Sequence, residues 1–331
     1  MKSILGIGNA ITDIPVFIPS NSLLEEFKFL PGSMNHIDAQ VMAQLWKRVQ
    51  GMDLNYVAGG SAANTVAALS HLGLECRFIG KTGADAVGES FDRGHRGDGV
   101  DMLLLKGEQE SGRALAFISG ENGERTFATY LGAALEFSPE ELGEEMFQGY
   151  ELLHIEGYLM QAPGVVERAM AIAKGMGMKI SIDLGSAGIV KRYREALHRL
   201  VADYADIVFA NEQEAQAFSG LEGKEGLEYI HSVMKQPGSI AVVKLGGDGS
   251  MIKKGDEVLS IGAVLAEVVD TTGAGDAYAA GFLYALSCGA SMEKCGETGS
   301  FVASEVVSVV GPKLTEDSWK AILVWIKPKL D

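Results

Sequence analysis

The residues best suited to chemistry stand in one short segment, Asp270-Thr271-Thr272-Gly273-Ala274-Gly275-Asp276. Its glycines allow backbone conformations in which successive N–H groups point into one concavity, an arrangement that binds anions such as phosphate. Phosphate repels a carboxylate, so Asp276 suits this place if it accepts a proton from the group that attacks the phosphate. The alternative, which the segment alone leaves open, is that Asp276 caps a helix.

The flanking residues indicate how this segment is held. The apolar run 264–269 predicts a strand, and the apolar run 279–286 predicts a buried helix. The glycine-rich turn then lies at a helix N-terminus, where free N–H groups and the helix dipole favour a negatively charged ligand.

Strand-like apolar runs recur between helical stretches and predict an α/β fold with a central, mostly parallel sheet covered on both faces. These runs are 4–7, 77–79, 152–155, 179–183, 207–210 and 240–245. Ligands of such sheets bind beyond the carboxyl ends of the strands. Polar residues stand at or just after those ends: Asn9, Glu156, Asp183, Asn211, Lys244 and Asp270.

Two segments, 12–38 and 111–130, interrupt this alternation with further extended stretches. Residues 121–124 read Glu-Asn-Gly-Glu, and Asn-Gly is a strong signal for a β-hairpin. We expect these strands to form a small lid over the edge of the main sheet. Because no repeat, low-complexity tract or proline-rich linker divides the chain, residues 1–331 are predicted to form a single domain.

The composition limits the partners of the protein. The chain of 331 residues carries a net charge of −16, which argues against nucleic acid and anionic membranes as general partners. Its three cysteines and six histidines show no metal-ligand spacing. A signal-peptide pattern and a run of 18 apolar residues are both missing from the sequence, so we expect a soluble, cytoplasmic protein.

Two glycine motifs point to familiar nucleotide folds but are incomplete. Gly6-Ile7-Gly8-Asn9-Ala10-Ile11 lacks the third glycine of a dinucleotide-binding turn. Gly80-Lys81-Thr82 resembles the end of a P-loop, but Glu75 stands where that loop needs glycine. The segment 270–276 therefore remains the candidate phosphate cradle.

Three further motifs accompany that segment: Gly59-Gly60-Ser61-Ala62-Ala63-Asn64, Asn211-Glu212-Gln213-Glu214, and Lys244-Leu245-Gly246-Gly247-Asp248-Gly249-Ser250. In this order they resemble the ribokinase-like family of small-molecule kinases, also called the PfkB carbohydrate kinases, over nearly the whole chain. One departure is Val66, where the family usually has a small residue, and we expect only an adjustment of packing there. The resemblance implies a three-layer αβα fold with a β-strand lid, and ATP-dependent phosphorylation of an alcohol.

The resemblance also implies a role for each matching residue. Asp276 would be the general base, and the amides of Gly273, Ala274 and Gly275 would hold the developing charge. ATP would be bound by a set comprising Asn211, Lys244, Gly246 and Gly249.

Two metal sites are implied in the same way. Glu214 would organise Mg²⁺ through water, although Asn211 and Glu214 also have the spacing of a helix capping box. Asp270 and Thr272 match positions that bind a monovalent cation such as K⁺ in some members, with carbonyl groups of residues 309–311 completing the site.

For the acceptor, the resemblance implies that Asp13 and Asn64 hold hydroxyl groups while Gly59 and Gly60 let the backbone approach. Asn9 belongs to the same cluster of strand ends and is a further binding candidate. Glu156 is another, and for it capping of a strand end is the alternative.

The identity of the acceptor depends on a finer likeness. Residues 125–134, 154–159 and 206–212 are closer to the adenosine kinase-like branch, and Phe127, Tyr130 and Tyr158 are candidates for stacking on a base or for plain packing. We therefore expect phosphorylation of a primary hydroxyl of a ribonucleoside, most simply adenosine. The alternatives are a kinase of ribose, fructose or a related sugar, and a ligand-binding regulator without turnover. We expect a monomer or a homodimer.

Overall fold

The computed structural model describes residues 1–119 and 125–330. Its main sheet has nine strands in the order β14-β13-β12-β11-β10-β9-β1-β5-β6. Seven of them, from β12 to β6 in that order, run parallel, and the edge strands β13 and β14 are antiparallel. The strand bounds are β1 Ser3–Ile7, β5 Glu75–Thr82, β6 Asp101–Lys106, β9 Leu152–Glu156, β10 Lys179–Asp183, β11 Ile207–Asn211, β12 Ile240–Lys244, β13 Ser250–Lys254 and β14 Glu257–Ile261.

Helices cover both faces of this sheet. One face packs on α3 (Ser61–His71), α4 (Ala86–Gly97), α10 (Ala274–Ser287), α11 (Met292–Val307) and α12 (Glu316–Leu330). The other packs on α5 (Val165–Gly175), α6 (Ala187–Arg192), α7 (Arg194–Tyr204), α8 (Glu212–Ser219) and α9 (Gly223–Val233). The predicted three-layer αβα fold with a mostly parallel sheet is confirmed. Among the described helices none is long and apolar enough to span a membrane.

The central strands form because their sequences are apolar on both faces, and β1 and β9 are buried along their whole length. Helix α10 is also apolar on nearly every side, since it packs between α3 and α11. Side-chain caps begin several of the other helices, as Asp85 does for α4 and Ser291 for α11.

The second sheet is the lid, five strands in the order β3-β8-β7-β2-β4. The bounds are β2 Ile11–Ile18, β3 Met34–His36, β4 Val57–Ala58, β7 Gly112–Ser119 and β8 Arg125–Tyr130. Strands β7 and β8 pair antiparallel, as the predicted hairpin requires, while its turn at 121–124 lies outside the described residues. Helices α1 (Ser22–Glu26) and α2 (Ala39–Val49) accompany the lid and share a core with one of its faces.

The predicted strand at 264–269 is wrong. Regular structure ends with β14 at Ile261 and resumes with α10, and Leu265 is 99% exposed. The run is apolar because it borders a cavity rather than a sheet core. Asp270 consequently does not follow a strand; its backbone N–H, like that of Val269, donates to the carbonyl oxygen of Val307.

The departure at Val66 is accommodated by a glycine in the sheet. Val66 is fully buried on α3, and a Cβ atom on Gly6 of β1 would lie 2.7 Å from Val66 Cγ1. The larger side chain on the helix is therefore matched by the missing side chain on the strand. This contact sets how closely α3 approaches the sheet.

We predict that Gly6→Ala lowers the free energy of unfolding by about 1–3 kcal/mol, because the new methyl group overpacks a filled site. In the Val66→Ala background the same change should cost much less, since the clashing methyl groups are gone. Chemical denaturation of the wild type, both single variants and the double variant measures this coupling. Additive effects of the two substitutions would contradict the packing account.

Candidate active site

The Asp276 carboxylate lies where the N-termini of two helices meet. Helix α10 begins after Gly273, which adopts a left-handed φ of 76° and has no side chain with which to cap the helix. Asp276 reaches across to α3, where it accepts hydrogen bonds from Ser61 Oγ at 2.7 Å and Asn64 Nδ2 at 3.2 Å. The helix-cap interpretation of Asp276 is therefore wrong.

Burial raises the pKa of Asp276 to about 7. The charge of Asp183 adds to this rise, whereas the hydrogen bonds from Ser61 and Asn64 and the nearby Lys244 ammonium oppose it. A carboxylate with a pKa near neutrality is well matched to proton abstraction at neutral pH.

Sequence reasoning did not assign a role to Ser61 and placed Asn64 on the acceptor. In the structure both side chains contact Asp276, although they stand 215 and 212 positions from it along the chain. The signal that could have found Ser61 is its place at the first turn of a helix directly after two glycines.

A lysine ammonium group faces the glycine-rich turn. Lys244 Nζ donates to Asp183 Oδ2 at 2.6 Å and lies 3.0 Å from the position that a Cβ atom on Gly275 would occupy. Burial disfavours the charged amine, but Asp183 and Glu214 outweigh it and raise the Lys244 pKa above its usual value. The lysine therefore stays charged beside the turn, where it can attract a phosphate group.

Asn211 and Glu214 form the capping box that begins α8. Glu214 N–H donates to Asn211 Oδ1, and the Glu214 carboxylate accepts from the backbone and side-chain amides of Asn211 at 2.8 and 2.7 Å. Burial raises the Glu214 pKa to about 7, and the charge of Asp183 adds to it. The helix capping box that the spacing of this pair suggested is thus present, and it fixes the Glu214 carboxylate at the edge of the site.

The carboxylates of Asp183 and Glu214 are the groups to consider for the Mg²⁺ ion that the family resemblance implies. In the described parts of the chain no group of three or more His, Cys, Asp and Glu side chains is placed to hold a metal ion directly. The repulsion between Asp183 and Glu214 nevertheless favours a cation nearby. Their oxygens fit an ion that keeps most of its water and is bridged to phosphate, as Mg²⁺ commonly is.

A cavity of about 420 Å³ opens beside Lys244. It brings together all four predicted ATP-binding residues and two residues of the glycine-rich turn: Asn211, Lys244, Gly246, Gly249, Ala274 and Gly275. Gly249 needs its left-handed φ of 94°, and a Cβ atom there would lie 2.0 Å from the Ile261 carbonyl oxygen. The rest of the wall is mostly apolar and comes from the 264–268 loop and α11, including Val264, Leu265, Val268, Ala303 and Val307. Sequence reasoning missed this α11 face, although its spacing of three to four residues was visible.

The other side of Asp276 faces the lid. Asp13 of β2 lies against Gly59, where a Cβ atom would come within 2.5 Å of Asp13 Oδ2. Burial raises the Asp13 pKa to about 7, an effect that the charge of Arg125 partly offsets. Gly60 begins α3 with a φ of 86°, so both glycines serve the close approach of this turn to the lid.

Asn9 and Glu156 lie beneath the start of α3, with only 2% and 1% of their surface exposed. Glu156 accepts hydrogen bonds from both Asn9 nitrogens through one oxygen and from the Ala62 N–H through the other. The two residues therefore join β1, β9 and α3 at the floor of the site. For Glu156 this corresponds to the alternative role, the capping of a strand end. Direct contact of either residue with an acceptor stays a prediction.

The three candidate stacking aromatics occupy different places. Tyr130 lies in the core between the lid and α2 and donates to Gln109 Oε1, so for this residue the packing alternative holds. Phe127 is on the opposite face of β8, together with Ile11 and Ala114. Tyr158 is half-buried against Gly185, on the side of the sheet that carries α5 to α9.

Asp270 and Thr272 adjoin the glycine-rich turn but bond to each other. Asp270 Oδ1 accepts from the N–H and hydroxyl groups of Thr272, while Oδ2 accepts from Arg125 of the lid and from the Gly311 N–H. From the segment 309–311, whose carbonyl groups were expected to complete a cation site, the Gly311 amide is the group that bonds to Asp270. Burial alone would raise the Asp270 pKa, but the amides of Thr272 and Gly311 and the Arg125 charge lower it.

Comparison with known proteins places this geometry in context. The family model described as "pfkB family carbohydrate kinase" matches residues 32–319. A probable sugar kinase from Rhizobium etli CFN 42 superposes with a TM-score of 0.87 at 34% identity, over 98% of each chain. Adenosine kinase from Sinorhizobium meliloti gives 0.85 at 35% identity, over 97% of this chain and 98% of that one. A 5-dehydro-2-deoxygluconokinase from Halalkalibacterium halodurans is 34% identical over 78% of this chain and 81% of its own.

We predict that Asp276→Asn stabilises the unliganded protein at alkaline pH. A carboxyl group whose pKa is raised from 3.8 to about 7 contributes stability at low pH, and that contribution is lost as the pH rises through 7. Asparagine does not titrate. The variant should therefore gain on the order of 1–3 kcal/mol over the wild type between pH 5.5 and 8.5, followed by thermal unfolding across that range.

The matched control is Asp53→Asn, because Asp53 is exposed on the surface. Its difference from the wild type should be constant over the same pH range. A constant difference for Asp276→Asn as well would contradict the buried, proton-binding carboxylate.

Proposed function

The chain belongs to the pfkB family of carbohydrate kinases, which are ATP-dependent phosphotransferases acting on hydroxyl groups, and from this premise we propose that its acceptor is a ribonucleoside. The reaction is transfer of the γ-phosphate of ATP to a primary hydroxyl, with adenosine as the expected substrate. The family fixes the reaction class, and the choice of acceptor depends on the surroundings of Asp276.

The observation that carries this proposal is the lid face on the Asp276 side, which we name the near face. The register of the lid strands places twelve side chains on it: Ile11, Asp13, Pro15, Phe17, Met34, His36, Ala114, Ala116, Ile118, Arg125, Phe127 and Thr129. Apart from Asp13, His36, Arg125 and Thr129, these side chains are apolar. Phe17 is 73% and Met34 65% exposed, so the near face presents apolar surface that the protein itself does not cover.

This distribution suits a ligand with one polar end and one flat, apolar part. Asp13, Ser61 and Asn64 offer hydrogen bonds close to Asp276, as the hydroxyl groups of a ribose require. The apolar near face then suits a nucleobase, because pockets for such ligands combine apolar walls with few polar groups. The 35% identical adenosine kinase supports the same choice.

A free sugar is the second candidate. It is favoured by the similarity to a probable sugar kinase and to a 5-dehydro-2-deoxygluconokinase, both at 34% identity. A sugar presents hydroxyl groups on every side, however, and most side chains of the near face are apolar.

In the proposed reaction Asp276 accepts the proton of the acceptor hydroxyl as that oxygen attacks phosphorus. The amides of Gly273 and Gly275, with Lys244 held by Asp183, attract the negative charge that moves to the phosphate oxygens. The Ala274 N–H, the third amide expected there, donates to the Thr271 carbonyl oxygen at 3.2 Å. Mg²⁺, when bound, supplies positive charge between the phosphates, and Glu214 and Asp183 are the carboxylates in place to order its water.

We predict that adenosine gives a kcat/KM at least about tenfold above that of ribose or fructose, because burial of the base adds binding energy that a sugar lacks. Initial rates with adenosine, inosine, guanosine, ribose, fructose and 5-dehydro-2-deoxygluconate, all with Mg²⁺-ATP, make the comparison.

Phe127→Ala should lower the rate with nucleosides only, and Asp13→Ala should lower it with every acceptor. A preference for a sugar would overturn the nucleoside proposal and leave the phosphotransferase reaction standing.

We predict that Asp276→Asn lowers kcat by at least about 10²-fold while ATP binding persists. Ser61→Ala should keep turnover but shift the acidic limb of the kcat/KM profile to higher pH. The reason is that the Ser61 hydrogen bond lowers the Asp276 pKa, and its loss raises it.

Ser70→Ala, near the other end of α3, is the matched control and should leave the profile in place. A profile unchanged by Ser61→Ala would argue against Asp276 as the titrating base.

A further inference from the structure

The Asp270 carboxylate, three positions before the glycine-rich turn, is fully occupied by donors from this chain. Oδ1 accepts from Thr272 N at 3.0 Å and from Thr272 Oγ1 at 2.8 Å. Oδ2 accepts from Arg125 Nη1 at 2.5 Å and from Gly311 N at 2.6 Å. Each of these groups presents a hydrogen to the carboxylate, and one of them is a full positive charge.

Such surroundings do not fit the monovalent cation expected from the family. A K⁺ ion needs several oxygen ligands, whereas the groups that converge on Asp270 are two amides, a hydroxyl and a guanidinium. A cation at the Oδ2 side would meet the Gly311 N–H and the Arg125 charge, and both repel it.

The guanidinium comes from the lid. Arg125 is the first residue of β8, on the near face, and its side chain is 24% exposed while that of Asp270 is 5% exposed. Its charge also lowers the pKa of Asp13, the carboxylate of the acceptor side. One arginine therefore forms an ion pair with Asp270 and also acts electrostatically on Asp13, and both effects require the lid to rest on the main domain.

We propose that the guanidinium of Arg125 takes the place of a monovalent cation at Asp270, so that closure of the lid supplies the charge that a bound K⁺ would otherwise provide. An uncompensated carboxylate beside the turn would repel the incoming phosphates. When Arg125 is paired with Asp270, the carboxylate charge is balanced, and the turn can bind a phosphate group without a K⁺ ion. The catalytic part of this inference rests on the proposed phosphotransfer, and the ion-binding part does not.

The experiment compares KCl with choline chloride at equal ionic strength. Wild-type initial rates, with whichever acceptor is turned over, should differ less than about twofold between the two salts. Arg125→Gln should lose at least about tenfold in kcat/KM in choline chloride, as expected when one partner of a largely buried ion pair is removed. KCl should restore part of that loss in the variant.

Two further variants sharpen the comparison. Arg125→Lys keeps the charge and should remain insensitive to K⁺. Arg199→Gln removes an arginine from an exposed pair with Glu167 and should behave as the wild type does. Strong activation of the wild type by K⁺, or a loss in Arg125→Gln that K⁺ does not restore, would overturn the proposal.

Thermal unfolding gives a readout that does not depend on turnover. The wild type should show equal midpoints in KCl and choline chloride, whereas Arg125→Gln should have a higher midpoint in KCl. If no acceptor is phosphorylated by any variant, the proposed function fails, and these midpoints still decide whether Arg125 replaces the ion. A K⁺-specific rise in the wild type would contradict it.

Discussion

A half-buried carboxylate at the meeting point of two helix termini governs the arrangement of the site. Protein atoms surround much of Asp276, and there a negative charge is costly, so the neighbouring groups must offset that cost. Ser61 and Asn64 donate to its two oxygens, and the Lys244 ammonium contributes a positive charge. This compensation is partial, because the pKa remains about 7. Partial compensation leaves a carboxylate that can both lose and regain a proton near neutral pH.

The main sheet makes this balance possible because alternate residues of neighbouring parallel strands share one face. His154, Glu156, Ser181, Asp183 and Lys244 stand on the face beneath α3 and α10. Lys244 is the only cation among these five, and Asp183 holds it in place. The same face therefore contains an excess of buried negative charge. This charge would attract the metal ion of a magnesium nucleotide and repel its phosphate groups. The glycine-rich turn and Lys244 must attract those phosphates strongly enough to overcome that repulsion.

Much of the fold could be predicted from local sequence, and the limits of that prediction have physical causes. The central strands were predictable because burial on both faces requires unbroken apolar runs, as in β1 and β9. The run 264–269 shows the same composition without the same structure, because an apolar segment can border a ligand cavity as well as a sheet core. The glycine-rich turn was predictable because Gly273 and Gly275 lie within one short stretch of sequence. Ser61 was not, because its contact with Asp276 joins helices far apart along the chain.

Two of the apolar surfaces that the described residues leave uncovered lie on either side of Asp276. Leu265 belongs to the loop beside the candidate nucleotide cavity, and Phe17 belongs to the near face of the lid. Exposed apolar groups cost free energy, and a bound ligand recovers it by covering them. Each substrate would therefore stabilise the segment that packs on it, which is the 264–268 loop for the nucleotide and the lid for the acceptor. Asp276, which is half-buried in the unliganded protein, would lose most of its remaining contact with water when both ligands are bound. Since the Arg125–Asp270 pair joins the lid to the loop that leads into the glycine-rich turn, closure on the acceptor side also completes the electrostatic surroundings of the phosphate.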